Sequence, residues 1–209
     1  MTKIKICGLK TIEDVKMVNR IQPEYVGFVF ASSKRKVSDA QAVCMKQRLS
    51  KEIQAVGVFV NDSIEHIVSL CKSGCIDLVQ LHGDESEGYI KQVQQRTGKQ
   101  VIKAVRLTSR EAGEEALRSN AEYVLFDAFA GAKVYGGSGT SLETSLLPEL
   151  SRPAFLAGGL SVHNVEEMVR RYKPFCVDVS SSVETEGKKE YEKMKQFVEV
   201  VRNIEGGRI

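Results

Sequence analysis

The chain has 209 residues, 42% of them hydrophobic, and sets 30 Lys and Arg against 27 Asp and Glu for a formal charge of +3. That is enough apolar material for one sizeable core, and the near-even balance argues against nucleic acid or an anionic membrane surface as the main partner. The opening MTKIKICGLK is broken by Lys3 and Lys5, no stretch approaches the ~20 apolar residues of a membrane span, and the five cysteines are odd in number and scattered; a soluble, cytoplasmic protein with reduced thiols is expected.

In chain order, short apolar runs fall at Ile4–Cys7, Tyr25–Phe30, Ala55–Val60, Leu78–Leu81, Val101–Val105, Tyr123–Phe126, Ala154–Ala157 and Phe175–Val179. Each is nearly continuous rather than alternating, the mark of strands covered on both faces in a parallel sheet. Helical segments lie between them, opened by Thr11, Ser38, Ser63, Ser86, Ser109 and Ser161, whose hydroxyls can accept an otherwise orphaned backbone N–H. Gly74 and Gly98 read as helix stops. A last helix over roughly 188–204 puts Tyr191, Met194, Phe197, Val198 and Val201 on one apolar stripe. Eight strand–helix pairs without a composition break predict an α/β fold, a (β/α)8 TIM barrel forming a single domain over 1–209. The rival, an open doubly wound sheet, usually carries GxGxxG after its first strand, and ICGLK lacks it.

A barrel of this kind keeps its site at the C-terminal ends of the strands. The candidates are therefore Cys7, the stretch 30–35 with Arg35, Asn61, His82, Arg106, Asp127, Gly158–Gly159 and 178–182. AGGL at 157–160 and VSSSVE at 179–184 close the seventh and eighth strands with small residues whose N–H groups can approach an anion, so Gly158, Gly159, Ser180 and Ser181 are read as a phosphate site. YGGSG at 135–139 lies in a long stretch poor in hydrophobics, which makes Gly136, Gly137 and Gly139 candidates for a mobile lid. Cys71 and Cys75 could share a helix face, but no partner His or second Cys pair supports zinc, and no metal is expected. His66 and His163 read as helix-surface residues.

KICGL at 5–9, GFVF at 27–30, SKRKVS at 33–38, GVFVN at 57–61, QLHGDE at 80–85, FDA at 126–128, YGGSG, AGGL and VDVSS at 177–181 together resemble the phosphoribosylanthranilate isomerases of tryptophan biosynthesis over almost the whole chain. The resemblance implies a cofactor-free Amadori rearrangement of an aminoaldose phosphate to an aminoketose phosphate. It implies Asp127 as the general acid that opens the ribose ring and Cys7 as the general base at C2′. Arg35 would meet the anthranilate carboxylate and Asp178 the ribose hydroxyls; His82, counted with them among the substrate-binding candidates, is read as a residue facing the site in a structural or a shaping role. The partner implied is the small-molecule substrate alone, with neither nucleic acid nor membrane, and the protein is expected to act as a monomer or homodimer.

The chain departs from the family pattern in reading TSLET after GGSG, in Ser182 where glycine is usual, in Ser161–Val162 in place of Asn-Pro, and in Lys36 where an aromatic residue is common. None of these touches Cys7 or Asp127. An epimerase would need paired aspartates with histidine ligands at strand ends, and an indoleglycerol-phosphate synthase would need strand-end lysines. A non-catalytic sugar-phosphate binding protein on the same scaffold should have lost Cys7 or Asp127, and both are present.

Overall fold

The computed structural model describes residues 1–127 and 144–206. Eight parallel strands close a barrel in sequence order: β1 (Lys3–Cys7), β2 (Tyr25–Val29), β3 (Gln54–Phe59), β4 (Leu78–Leu81), β5 (Val101–Arg106), β6 (Tyr123–Asp127), β7 (Ala154–Leu156) and β8 (Cys176–Val179). Outside it lie α1 (Ile12–Ile21), α2 (Asp39–Lys46), α3 (Ile64–Lys72), α4 (Glu87–Thr97), α5 (Arg110–Ala116), α6 (Val165–Tyr172) and α7 (Tyr191–Gly206). β8 pairs back onto β1 with Lys5 opposite Asp178, which shuts the sheet without an exposed edge.

Each strand is buried on both faces, so the apolar runs are continuous. Ile4, Ile6, Val26 and Phe28 face outward into the shell beneath the helices, while Tyr25, Val56, Leu78, Ile102, Leu125, Phe155 and Cys176 form a separate cluster inside the barrel. The helices start where hydroxyl caps are available. Thr11, Ser38, Ser63, Ser86 and Ser109 each accept a backbone N–H of the first turn, and Thr11 and Ser38 complete reciprocal capping boxes. Gly98 ends α4 in the left-handed conformation, and Gly74 takes it just past the end of α3.

Two expectations are corrected. Ser161 does not cap α6; that helix begins later, after Asn164, and Asn164 instead ties its approach loop by accepting from Ser161 N (2.8 Å) and donating to the Gly159 carbonyl (3.0 Å). Among the described residues of the β6–β7 connection, Thr144–Leu146 forms a short 3-10 turn. Residues 188–190 precede the last helix. Lys188–Lys189 (β10) pairs with Glu184–Thr185 (β9) in a hairpin turned by Glu186 and Gly187, both at positive φ (50° and 74°), the pairing that a two-residue turn of the right twist demands. Met194, Phe197, Val198 and Val201 are buried as the stripe predicts. No described helix is long and apolar enough to cross a membrane.

Candidate active site

Side chains alternate along a strand, so with Ile4 and Ile6 turned outward, β1 sends Lys3, Lys5 and Cys7 into the barrel. Lys5 is fully buried, and its ammonium lies 2.7 Å from Asp178 Oδ2 on β8. Cys7 stands two residues further along the same inward face. Burial alone would lower the Lys5 pKa, but the carboxylate of Asp178 and the Cys7 sulfur outweigh it and raise it, so the lysine is a fixed cation. For Cys7, burial is the largest influence and pushes the thiol up, with Asp178 adding to the rise; Lys5 and Lys189 pull the other way. Burial likewise raises the Asp178 carboxyl against the pull of Lys5, and its second oxygen, Oδ1, is buried without a hydrogen-bond partner.

Gly27 on β2 makes room for the sulfur. A Cβ there would stand 2.6 Å from Cys7 Sγ, closer than real Cβ contacts come. Across the barrel, Asp127 ends β6 almost fully buried, and Oδ2 lies 3.2 Å from His82 Nε2 at the end of β4. His82 Nδ1 is 2.9 Å from the Gln80 amide nitrogen; if that amide donates, Nδ1 is the acceptor and the ring proton sits on Nε2, facing Asp127. His82 thus holds the Asp127 carboxylate in place from the end of β4.

Arg35 is not solvated. Its Nε and Nη2 donate to both carboxylate oxygens of Glu184 at 2.8 and 2.7 Å, a bidentate pair that fixes the plane of the guanidinium. Gly8, at φ 84°, lets it lie across the β1–α1 turn, where any Cβ would collide with Arg35 Cδ. Glu184 also accepts from Lys189 Nζ at 2.8 Å, and Lys189 reaches the Ser180 carbonyl at 3.0 Å. Burial works against ionising Glu184, yet the two cations pull its carboxyl down to about 2.

The two loops read as the phosphate site meet over β7 and β8. Gly158 and Gly159 stand at φ 84° and 64°, conformations open to glycine, and both are half-buried. Ser182, where the family usually has glycine, donates to the Leu160 carbonyl at 2.5 Å and so ties the loops together. The Ser180 hydroxyl is turned to the Cys7 carbonyl at 3.0 Å, and Ser181 opens the short turn Ser181–Val183. The lid glycines Gly136, Gly137 and Gly139 lie outside the described residues. Asn61, a strand-end candidate, belongs to the rim: Glu85 accepts from Asn61 N (2.8 Å), Gly83 N and Lys103 Nζ (2.7 Å), which splits QLHGDE into a site residue, His82, and a structural brace, Glu85. His66 is more than surface: its ring stands edge-on to the stacked Phe30 and Phe59 and bridges Asp62 (2.7 Å) and Asp39 (3.1 Å).

The sequence reading missed Lys5, Gln80, Gly27, Glu184 and Lys189. Lys5 was within reach, since a residue two before Cys7 on a strand must share its face. So was the hairpin, from Glu186–Gly187 between two short polar strands.

A sequence profile of N-(5'-phosphoribosyl)anthranilate (PRA) isomerase matches residues 4–200. The N-(5'-phosphoribosyl)anthranilate isomerase of Endomicrobium trichonymphae is 47% identical over 204 residues, which cover 98% of this chain and all of that one. Among solved structures, the phosphoribosyl anthranilate isomerase of Thermus thermophilus superposes with a TM-score of 0.86 at 28% identity, covering 97% of this chain and all of its own. Another, in complex with reduced 1-(o-carboxyphenylamino)-1-deoxyribulose 5-phosphate, superposes at 0.82 with 32% identity and the same coverage. A profile match across nearly the whole barrel and full-length identity far above 30% leave one assignment: the chain belongs to the phosphoribosylanthranilate isomerase family.

Proposed function

We propose that this protein converts N-(5'-phosphoribosyl)anthranilate to 1-(o-carboxyphenylamino)-1-deoxyribulose 5-phosphate, the isomerase step of tryptophan biosynthesis, with Asp127 as general acid and Cys7 as general base. The observation that carries the residue roles is that one carboxyl and one thiol end inward-facing strands of a single closed barrel, β6 and β1, with the Lys5–Asp178 pair below. Asp127, held by His82, gives its proton to the ribose ring oxygen, and the furanose opens to an iminium. The iminium acidifies C2′; the Cys7 thiolate takes that proton, and the C–H electron pair forms the enolamine that tautomerises to the ketone.

Arg35 offers the substrate carboxylate its free edge, because Glu184 occupies only the Nε–Nη2 edge and keeps the plane fixed. The unpartnered Asp178 Oδ1 is suited to accept a ribose hydroxyl. Gly158, Gly159, Ser180 and Ser181 would meet the phosphate through backbone N–H groups, the Ser180 hydroxyl being engaged elsewhere. The protein would work as a monomer or homodimer, in the cytoplasm and without a metal.

The test is turnover of phosphoribosylanthranilate by the purified chain in excess chelator, with product quantified by chromatography. Cys7→Ala and Asp127→Asn should each lower kcat by about 10³-fold with an unchanged circular dichroism spectrum. Wild-type turnover in either variant overturns that residue's role, and loss of wild-type activity on chelation overturns the metal-free reading.

A further inference from the structure

We propose that Gln80 is a positioning residue for the reaction: its buried amide donates to His82 Nδ1, which puts the ring proton on Nε2 and leaves the Asp127 carboxyl proton on the oxygen that His82 does not engage. The inference rests on the reading of Asp127 as the general acid and adds what sets the direction of its proton.

Gln80 is 1% exposed and shares the inward face of β4 with Leu78, which belongs to the apolar cluster inside the barrel. Its register partners on β3 and β5 are Val58 and Ile102, so it is a polar side chain set in an apolar layer. Among the described residues its amide oxygen is buried without a partner, while its amide nitrogen lies 2.9 Å from His82 Nδ1. An apolar residue would fill this layer without stranding an acceptor. The amide therefore serves the ring above it rather than the packing around it.

An amide nitrogen only donates, so the ring nitrogen opposite it must accept. An imidazolium would set two donors against each other. The contact thus selects the neutral ring with its hydrogen on Nε2, since the bond made by one ring nitrogen fixes the state of the other. Nε2 lies 3.2 Å from Asp127 Oδ2. With Oδ2 accepting from Nε2–H, the acid form of Asp127 carries its proton on Oδ1, away from the imidazole. The proton passes from there to the ribose ring oxygen, and the carboxylate left behind keeps the Nε2–H donor. In the reverse tautomer a bare Nε2 would accept the carboxyl proton itself and hold it back from the sugar.

The experiment has two arms. NMR of the 15N-labelled full chain reads the tautomer directly, because protonated and bare ring nitrogens resonate far apart; the chain has three histidines, and those at 66 and 163 are assigned by substitution. At about pH 8 wild-type His82 should carry hydrogen on Nε2 and a bare Nδ1. A proton on Nδ1, in the other tautomer or in an imidazolium, overturns the proposal. The second arm is a mutant cycle. Gln80→Met keeps the bulk and removes the donor, and should lower kcat about tenfold with KM within about twofold. Because Gln80 acts through the ring, the same change made in His82→Asn should lower kcat by less than about a further twofold. A residue that only braced the barrel would lower the urea midpoint and act equally in both backgrounds. Wild-type kcat in folded Gln80→Met, or the full loss repeated in His82→Asn, overturns the proposal. Should Gln80→Met fail to fold, the wild-type tautomer decides it alone. Failure of the acid reading looks different: Asp127→Asn would then turn over like wild type while the ring proton stayed on Nε2.

Discussion

Replacing Glu184 with Gln tests how the substrate end of the site is held. The wild-type carboxylate joins Arg35 and Lys189, and the side chains of Lys189 and Glu184 are 1% and 8% exposed. Gln keeps the shape and one acceptor but leaves Lys189 a buried cation without a counter-charge. Removing one partner of such a pair costs about 3–5 kcal/mol. The depressed carboxyl gives an independent figure: from its ordinary 4.5 to about 2, at about 1.36 kcal/mol per unit, is about 3 kcal/mol. Because the folded value lies below the unfolded one, this stabilisation is fully present above pH 4.5 and is lost as pH falls from there toward 2. Urea unfolding of both proteins across pH should therefore show a gap of about 3 kcal/mol at pH 7 that narrows below pH 4.5. The variant's KM for phosphoribosylanthranilate should also rise, about tenfold, as Arg35 loses its fixed plane. A gap under about 1 kcal/mol at neutral pH, or one that does not narrow in acid, would show that the triad is a solvated surface cluster.

Gly27→Ala places a methyl 2.6 Å from Cys7 Sγ and should cut kcat at least about tenfold with little change in urea midpoint; an unchanged kcat would mean the sulfur can move without consequence. Thr11→Ala deletes the α1 capping box and should cost about 1 kcal/mol in urea unfolding without altering kcat/KM, whereas no loss of stability would contradict the cap. Burial lowers His66, but its hydrogen bonds to the Asp39 and Asp62 carboxylates outweigh it, so its proton resonances should titrate above 6.5. The tie it makes between α2 and the β3–α3 loop should be intact below 6.5 and weaken as pH rises through the folded midpoint, and a midpoint at or below 6.5 refutes the pairing.

The barrel was legible because two-faced burial leaves its mark residue by residue: eight apolar runs, five hydroxyl caps and the glycine after α4 fell where the structure puts them. Cys7, Asp127 and His82 were legible for a related reason, since the last inward residue of a barrel strand must face the mouth. What escaped depends on distance through space. Nothing local in ETEGKKE says that Glu184 will grip Arg35 from 149 positions away, or that Lys189 will turn back over Ser180. Ser161 misled because it is a good cap in the right neighbourhood, but Asn164 claims its backbone N–H and the helix starts three residues later.

The departures from the family pattern can now be weighed by what they touch. Ser182 replaces a residue with no side chain, and its hydroxyl fastens the β8 loop to the Leu160 carbonyl on the β7 side. A glycine there would lack this tie between the two loops, so the serine substitutes a fixed geometry for a flexible one at the cost of conformational freedom in the loop. Lys36, by contrast, lies beside Val37, Asp39 and His66 along a groove of about 570 Å³ next to Phe30, rather than against Cys7 or Asp127. Its replacement of an aromatic residue changes the charge beside the Arg35 turn without altering the thiol, the acid or the Lys5–Asp178 pair. Lys36 thus lies apart from the Lys5–Asp178 pair, which strand register and buried charge fix at the β1–β8 seam.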